Sequence, residues 1–490
     1  MSIDAIGFLT LAVGLAALML APTFGLHALV LSTLLGAASA ITIGDPTKGS
    51  SVQPAYVLLC FCALVLLQRD RSRALLLNAL SFGQPGFWLV VTVTYGAFSA
   101  AILPRLFESR AYVYAVVRTE GGLGLALRPL APGSGNVTQS IYLFGDIVAF
   151  AIGAACAATD RRLRILVNAF LLCAAANLVL GAVDLAAFRA GLGDVLGIIR
   201  NANYRMLQDG EIVGFKRIVG SFPEASSYAY MTLGTFVFSL RLWISGVRVR
   251  LSGSLAGLSA AAMVLTTSTS GYVGLIAGVC LAYAHCLSRA TNGTATRIVM
   301  TVLIMVPVFA LFGIVAVALN ESAQQMLMQL GEATVVKKLS TQSGIERGMW
   351  NAQAIEVFFA TSGLGAGVGS VRASSFVVAL ISNLGVIGTA LYAIFLLSVL
   401  RRDGVPTGDP YRSAVQSAAR STCVALLACA AVSSGGVDLG LVFALLAGLG
   451  SSRLSASRHG LAQRRADPWR GRISGRLLPI LSRGFARCPT

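Results

Sequence analysis

"RIVMTVLIMVPVFALFGIVAVALN" (297–320) decides the fold, because the 22 residues between Arg297 and Asn320 carry no charge. A helix of that length crosses a hydrocarbon core of about 30 Å. Water does not reach the backbone there, so each N–H and C=O must be paired within the protein, as a helix does. Similar apolar runs recur along the chain. Candidate spans lie near 5–22, 24–42, 53–68, 86–103, 140–158, 164–186, 225–244, 252–268, 270–287, 298–319, 374–400, 414–432 and 437–451. Of the 490 residues, 56% are hydrophobic and 12% charged, and the mean hydropathy is +0.77. One globule cannot hide that much apolar surface, and the alternation of a membrane barrel is absent. The expected fold is all-α and polytopic, with about 12–13 transmembrane helices. They form a single domain over 1–451, followed by a basic tail at 452–490.

The formal charge of +18 is distributed as a membrane protein distributes it. The last 39 residues hold nine Arg and one Asp, so the tail alone contributes +8. A basic tail after a span reports orientation and attraction to anionic membrane lipids. No nucleic-acid motif accompanies the charge, so no nucleic-acid partner is expected. "RDRSR" (69–73), "DRRLR" (160–164), "RVR" (248–250), the segment ending in Arg297, "RRDG" (401–404) and the tail all fall on one side if the spans alternate. By the positive-inside rule that side is cytoplasmic. The first apolar run follows only "MSID" and is read as a retained span. Eight of nine cysteines lie in apolar stretches, with no metal or disulfide spacing.

The opposite side carries three long polar segments, about 104–139, 187–224 and 320–373. "NESAQQMLMQLGEATVVKKL" (320–339) reads as a helix lying in the interface. These loops hold too many apolar and aromatic residues to be disordered, and loops of such length are where function concentrates.

Two constellations stand on that side. In "KRIVGSFPEASSYAYM" (216–231), Gly220-Ser221 suits a turn and cap, and Pro223 a first helical turn. Glu224 is then either a helix-capping residue with Arg217 as an interfacial anchor, or a general base at the hydrocarbon edge. In "SGIERGMWNAQAIEVFFATSGLGAGVGSVRASS" (343–375), Gly363, Gly365, Gly367 and Gly369 alternate between Arg347 and Arg372. The glycines serve either close helix packing or an anion-binding nest. Each arginine alone reads as a snorkelling anchor. With Arg217 they suit a pyrophosphate, whose oxygens a guanidinium fork matches. Asp146 inside the fifth span is either functional or partly solvated near the span's outer end. "LTTSTSGY" (265–272) supplies hydroxyls for helix ends, and Asn383 suits an interhelical hydrogen bond. The glycosylation patterns at 136–138 and 292–294 are common by chance. His27, His285 and His459 all lie outside the three long loops, and no metal or Ser-His-Asp arrangement is readable.

These residues resemble a known family. "KRIVGSFPEASSYAYM" is similar to the arginine–glycine–phenylalanine–glutamate–serine block of bacterial exopolysaccharide polymerases of the Wzy type, within the O-antigen polymerase and ligase superfamily. "ERGMWNAQAIEVFFATSGLGAGVGSVRASSFVVALISNLGVIG" (346–388) resembles that superfamily's second signature, and "GNVTQSIYLFGD" (135–146) a looser third. The resemblance covers about 130–400. It implies a GT-C type integral-membrane glycosyltransferase in the bacterial inner membrane, with a periplasmic active face and a cytoplasmic tail. Such an enzyme moves a growing glycan from its undecaprenyl-pyrophosphate carrier onto a hydroxyl of the next lipid-linked oligosaccharide, with no nucleotide, metal or cofactor. It also implies a flippase and a chain-length regulator of an export complex as partners. By the same resemblance, Arg217 and Arg347 stabilise pyrophosphate charge and Glu224 acts as base or acceptor-orienting group. Arg372, Lys216, Asn136, Gln139, Asp146 and Trp350 are assigned to binding pyrophosphate or glycan. The family's histidine near the asparagine-bearing span is replaced by serines in "RASSFVVALISN". With no external-loop histidine, an O-antigen ligase ranks behind a polymerase. A transporter or flippase of lipid-linked sugars is the alternative from another class.

Overall fold

A computed structural model describes residues 2–20, 22–43, 50–119, 122–202, 206–207, 210–212, 215–321, 324–325, 328, 342–401 and 409–452. The expected tail beyond Ser452 and most of the expected interfacial helix at 320–339 lie outside these residues. The chain is an all-α, multi-pass membrane protein. Its helices, in order, are α1 (Ala5–Met19), α2 (Pro22–Ser32), α3 (Pro54–Leu67), α4 (Asp70–Ala79), α5 (Pro85–Leu106), α6 (Ser134–Ala157), α7 (Asp160–Arg189) and α8 (Ala225–Ile244). There follow α9 (Val249–Leu265), α10 (Thr269–Thr291), α11 (Arg297–Ala318), α12 (Gln342–Ala360), α13 (Phe376–Leu400), α14 (Pro410–Ser433) and α15 (Leu441–Ser451). Among the described residues seven helices, α5, α6, α7, α10, α11, α13 and α14, are long and apolar enough to cross a membrane.

Local chemistry sets several of the boundaries. Pro54, Pro85 and Pro410 open α3, α5 and α14, where the missing N–H costs nothing. Ser268 caps α10 by accepting from Gly271 N–H, and Thr296 caps α11 by accepting from Val299 N–H. Asp409 accepts from Tyr411 N–H at the start of α14.

The bundle is closed by small residues. Gly153 of α6 faces the Leu445 carbonyl and Gly448 of α15 faces the Phe150 carbonyl, where a Cβ would lie 2.1 and 2.0 Å from those oxygens. This backbone-to-backbone approach is how helices gain contact in lipid, where apolar side chains are not squeezed together by water. At the other extreme α11 is largely exposed, with Phe309, Phe312 and Ile314 on its surface, as suits a lipid-facing helix.

Several boundaries depart from the sequence expectation. The run 24–42 is helical only to Ser32, and its last residues pair as β2 (Ile41–Ile43) with β1 (Ser2–Ile3) and β3 (Ser50–Val52). The run 437–451 is not helical before Leu441, and α15 rises only about 17 Å over its 11 residues. Within the segment 104–139 lies an antiparallel pair, β4 (Tyr112–Thr119) and β5 (Gly122–Pro129), for which no strand was expected. The amphipathic α4 was not anticipated either.

The two ends of the bundle differ in character. At one end Arg162 donates to Ser72 Oγ at 2.7 Å, Arg412 meets Asp160 at 2.6 Å, and the Arg164 guanidinium lies 4.6 Å from the Tyr411 ring centre. The basic segments 69–73 and 160–164, at the starts of α4 and α7, therefore converge with the start of α14. Described parts of the three long loops meet at the other end, where Arg347 reaches Glu224 at 3.9 Å and Gln353 donates to the Tyr112 carbonyl at 2.8 Å.

Candidate functional site

The loop before α8 is held from below by Asp184 of α7, a carboxylate buried at 5% exposure. It accepts from Val219 N–H at 2.9 Å, Gly220 N–H at 3.2 Å and Arg200 Nη2 at 2.8 Å, with Lys216 Nζ at 3.6 Å. Arg200 also donates to the Gly220 carbonyl and to Asp194. The Lys216 ammonium sits 4.5 Å from the Phe188 ring centre. Ser221 Oγ donates to the Leu34 carbonyl at 2.5 Å, tying the loop to the end of α2. The short pair β6 (Glu211–Ile212) and β7 (Phe215–Lys216) completes the mount, and Arg217 N–H donates to the Gly210 carbonyl.

This mount presents Arg217 and Glu224 together. Arg217 Nε donates to the Thr266 carbonyl at 3.4 Å. Burial pushes the Arg217 guanidinium below its ordinary pKa, while the Glu224 carboxylate beside it opposes the shift. Arginine keeps its charge under such conditions. Glu224 occupies the N-cap position of α8, yet its side chain bonds no helix N–H. The carboxylate instead accepts from Ser226 Oγ through Oε1 and meets Arg347 Nη2 at 3.9 Å through Oε2. The capping reading therefore fails at the side chain. Pro223 lies before the helix, not in its first turn.

Arg347 comes from α12, far along the chain. Trp350, one turn on, receives the Arg372 guanidinium 4.5 Å from its ring centre. A cation over an indole is held by the ring quadrupole, so Trp350 orients Arg372. Arg217, Arg347 and Arg372 with Glu224 bring three guanidiniums and one carboxylate to this end, a net +2. Glu224 and Arg347 remain partly open, at 32% and 23% side-chain exposure.

The glycine turn shapes the next wall. Gly363, Gly365, Gly367 and Gly369 all have positive φ, from 77° to 88°, and at Gly369 a Cβ would lie 2.3 Å from the Gly135 carbonyl. The turn packs against the start of α6. Asn136 donates to the Val368 carbonyl at 2.7 Å and to Ser370 Oγ at 2.8 Å, and accepts from Gly133 N–H. Its amide is engaged in holding the turn. Asn383 also serves the turn, accepting from Val371 N–H and donating to the Val371 carbonyl. That replaces the interhelical bond expected of it. Gln139 lies against Gly436, in the non-helical segment between α14 and α15.

The assigned residues thus divide. Glu224, Arg217 and Arg347 form one cluster, and Arg372 and Trp350 adjoin it. Lys216 and Asn136 hold loops in place. Asp146 is buried with Asp438 and Tyr56 as its neighbours. It lies 12 residues inside α6, about 18 Å from the helix start and deeper than expected.

Sequence reasoning overlooked Asp184, Arg200, Ser226 and Asp438. The rule that flags an acid inside an apolar run applies to Asp184 in "NLVLGAVDLAAF" (177–188) as well as to Asp146. Compared with protein-family models, curated proteins and solved structures, the chain shows no match.

Proposed function

We propose that the protein is a membrane glycosyltransferase that polymerises lipid-linked oligosaccharides, with the Glu224–Arg217–Arg347 cluster as its centre. The observation that carries this reading is the meeting of three residues from two distant segments in a partly open position. Glu224 touches Arg347 while Arg217 stands beside both. The arginines suit the growing charge on a pyrophosphate leaving group, and fixed donors cost no reorganisation as that charge develops. Glu224 takes the proton from an acceptor hydroxyl in this reading, and the Ser226 hydroxyl, which donates to its Oε1, orients the carboxylate. In this reading the glycan's anomeric carbon passes from pyrophosphate oxygen to the acceptor oxygen. The loop end is the periplasmic face of a bacterial inner membrane, and the arginine-rich end is cytoplasmic.

The test uses purified protein in nanodiscs with lipid-linked repeat units. Glycans longer than the input support the reading, and unchanged length with intact protein and substrate refutes it. The non-helical segment at 434–440, together with the buried Asp146 within α6, favours transport of lipid-linked sugars as a second reading, because transporters place polar groups at interrupted helices. Movement of unchanged substrate across a sealed vesicle membrane would support that alternative.

A further inference from the structure

The glycine turn that leads to Arg372 is built into a broken helix. Within α13, Gly385 has φ 64° and ψ −168°, so the helix is interrupted there. The turn fills the gap. Ala366 N–H donates to the Ser382 carbonyl at 2.8 Å, Gly367 N–H to the Asn383 carbonyl at 2.9 Å, and Val386 N–H to the Gly363 carbonyl at 2.9 Å. Backbone groups that the break would strand inside the bundle are thereby paired.

Asn383 adds a second hold through its side chain, which is buried at 1% exposure. Its amide pairs with both backbone groups of Val371: Val371 N–H donates to Oδ1 at 3.1 Å, and Nδ2 donates to the Val371 carbonyl at 3.0 Å. Nδ2 also donates to the Ala379 carbonyl of its own helix at 2.9 Å. Three residues beyond Val371, Ser374 N–H donates to Asn351 Oδ1 at 2.7 Å. Asn351 belongs to α12 and follows Trp350, whose ring carries the Arg372 guanidinium. The segment 371–374 is thus pinned at one end from α13 and at the other from α12. Val371, Ala373 and Ser374 are buried, and Arg372 between them is exposed. A backbone held at both ends presents one cation outward.

A snorkelling arginine needs no such mount, because its long stem lets the charge reach water from many backbone positions. A guanidinium that must meet a phosphate gains from it, since a group ordered beforehand loses less freedom on binding. We propose that Asn383 and Asn351 are positioning residues for Arg372, holding its backbone so that the guanidinium stands ready for the pyrophosphate of a lipid-linked substrate. Neither asparagine is assigned a contact with substrate; both act through Arg372. The role rests on the proposed binding of such a substrate by Arg372.

Fluorine NMR of the full chain carrying 5-fluorotryptophan, in nanodiscs, reads the mount, with the Trp350 resonance identified by Trp350→Phe. Arg372→Gln takes the cation off the ring and defines the resonance of an unstacked Trp350. In Asn383→Leu and in the milder Asn351→Ala, the Trp350 resonance should move toward that position, while those of Trp88 and Trp243 stay in place. The same changes made on top of Arg372→Gln should move it much less. A resonance that keeps its wild-type position in either folded variant, or moves as far with Arg372 already replaced, overturns the proposal. In the elongation assay either change should raise KM by about 10-fold with kcat little changed, and should add nothing to the effect of Arg372→Gln. A loss confined to folded yield, with KM per folded molecule unchanged, marks a merely structural asparagine and also overturns it. The resonances read the mount whether or not the chain elongates glycans, so failure of the mount and failure of the polymerase reading are told apart.

Discussion

Glu224 shows how little a residue's local position says about its role. By backbone geometry it is an N-cap, with φ −153° and ψ 161°, and a cap would normally bond the first turn. Here the carboxylate accepts from the Ser226 hydroxyl in the first turn and meets Arg347, and it bonds no helix N–H. Arg217 and Arg347 flank it as fixed guanidinium forks. Arg217→Lys keeps the charge but loses the planar pair of donors, so glycan elongation should fall by about 100-fold with membrane abundance unchanged. Elongation at the wild-type rate would reduce Arg217 to an anchor. Trp350→Leu should weaken substrate binding more than turnover, since Arg372 loses the ring that orients it. Separate measurement of KM and kcat reads the difference, and an unchanged KM would contradict it. The sequence made these residues visible because charges at the edge of apolar runs are conspicuous. It did not show that Asn136 is engaged by the glycine turn, because that bond joins residues 232 positions apart.

At the level of elements, the loop before α8 is rigid because a buried carboxylate holds it. Asp184 gathers Arg200, Lys216 and two backbone N–H groups. Asp184→Asn removes a buried carboxylate from Lys216 and one of two from Arg200, which still meets Asp194, and costs about 3–5 kcal/mol. The expected result is a lower unfolding midpoint and faster hydrogen exchange over 215–222, while wild-type exchange there would refute the clamp. Gly448→Ala would force α15 away from the Phe150 carbonyl, so folded yield on size-exclusion chromatography should drop sharply. Helices announced themselves through long apolar runs, but their ends did not. The hairpin β4–β5 had a signal in "YVYAVVRT" (112–119), rich in tyrosine and valine. Its context between two long spans hid it. The shortness of α15 was hidden too, because "GVDLGLVFALLAGLGS" (436–451) is apolar enough to read as a longer crossing.

For the whole molecule, the account requires two chemically distinct ends. Basic helix starts meet around Asp160 and Ser72 at one end, and the loop before α8 meets α12 at Glu224 and Arg347 at the other. In a background lacking exposed cysteines, Arg71→Cys and Gly348→Cys should be labelled by a membrane-impermeant thiol reagent from opposite sides, and labelling from one side would overturn the topology. The sequence disclosed the class of fold because lipid leaves the backbone few choices. It disclosed the cluster's members but not their contact, which depends on α12 bringing Arg347 to Glu224 from 123 positions away. The central claim is that Glu224 of this cluster performs glycan elongation. Its most direct test compares wild type and Glu224→Gln, reconstituted at equal abundance with lipid-linked repeats, by the length of the product. The account predicts lengthened glycans from wild type and at least about 100-fold slower elongation from the variant. Equal elongation by both proteins would contradict it.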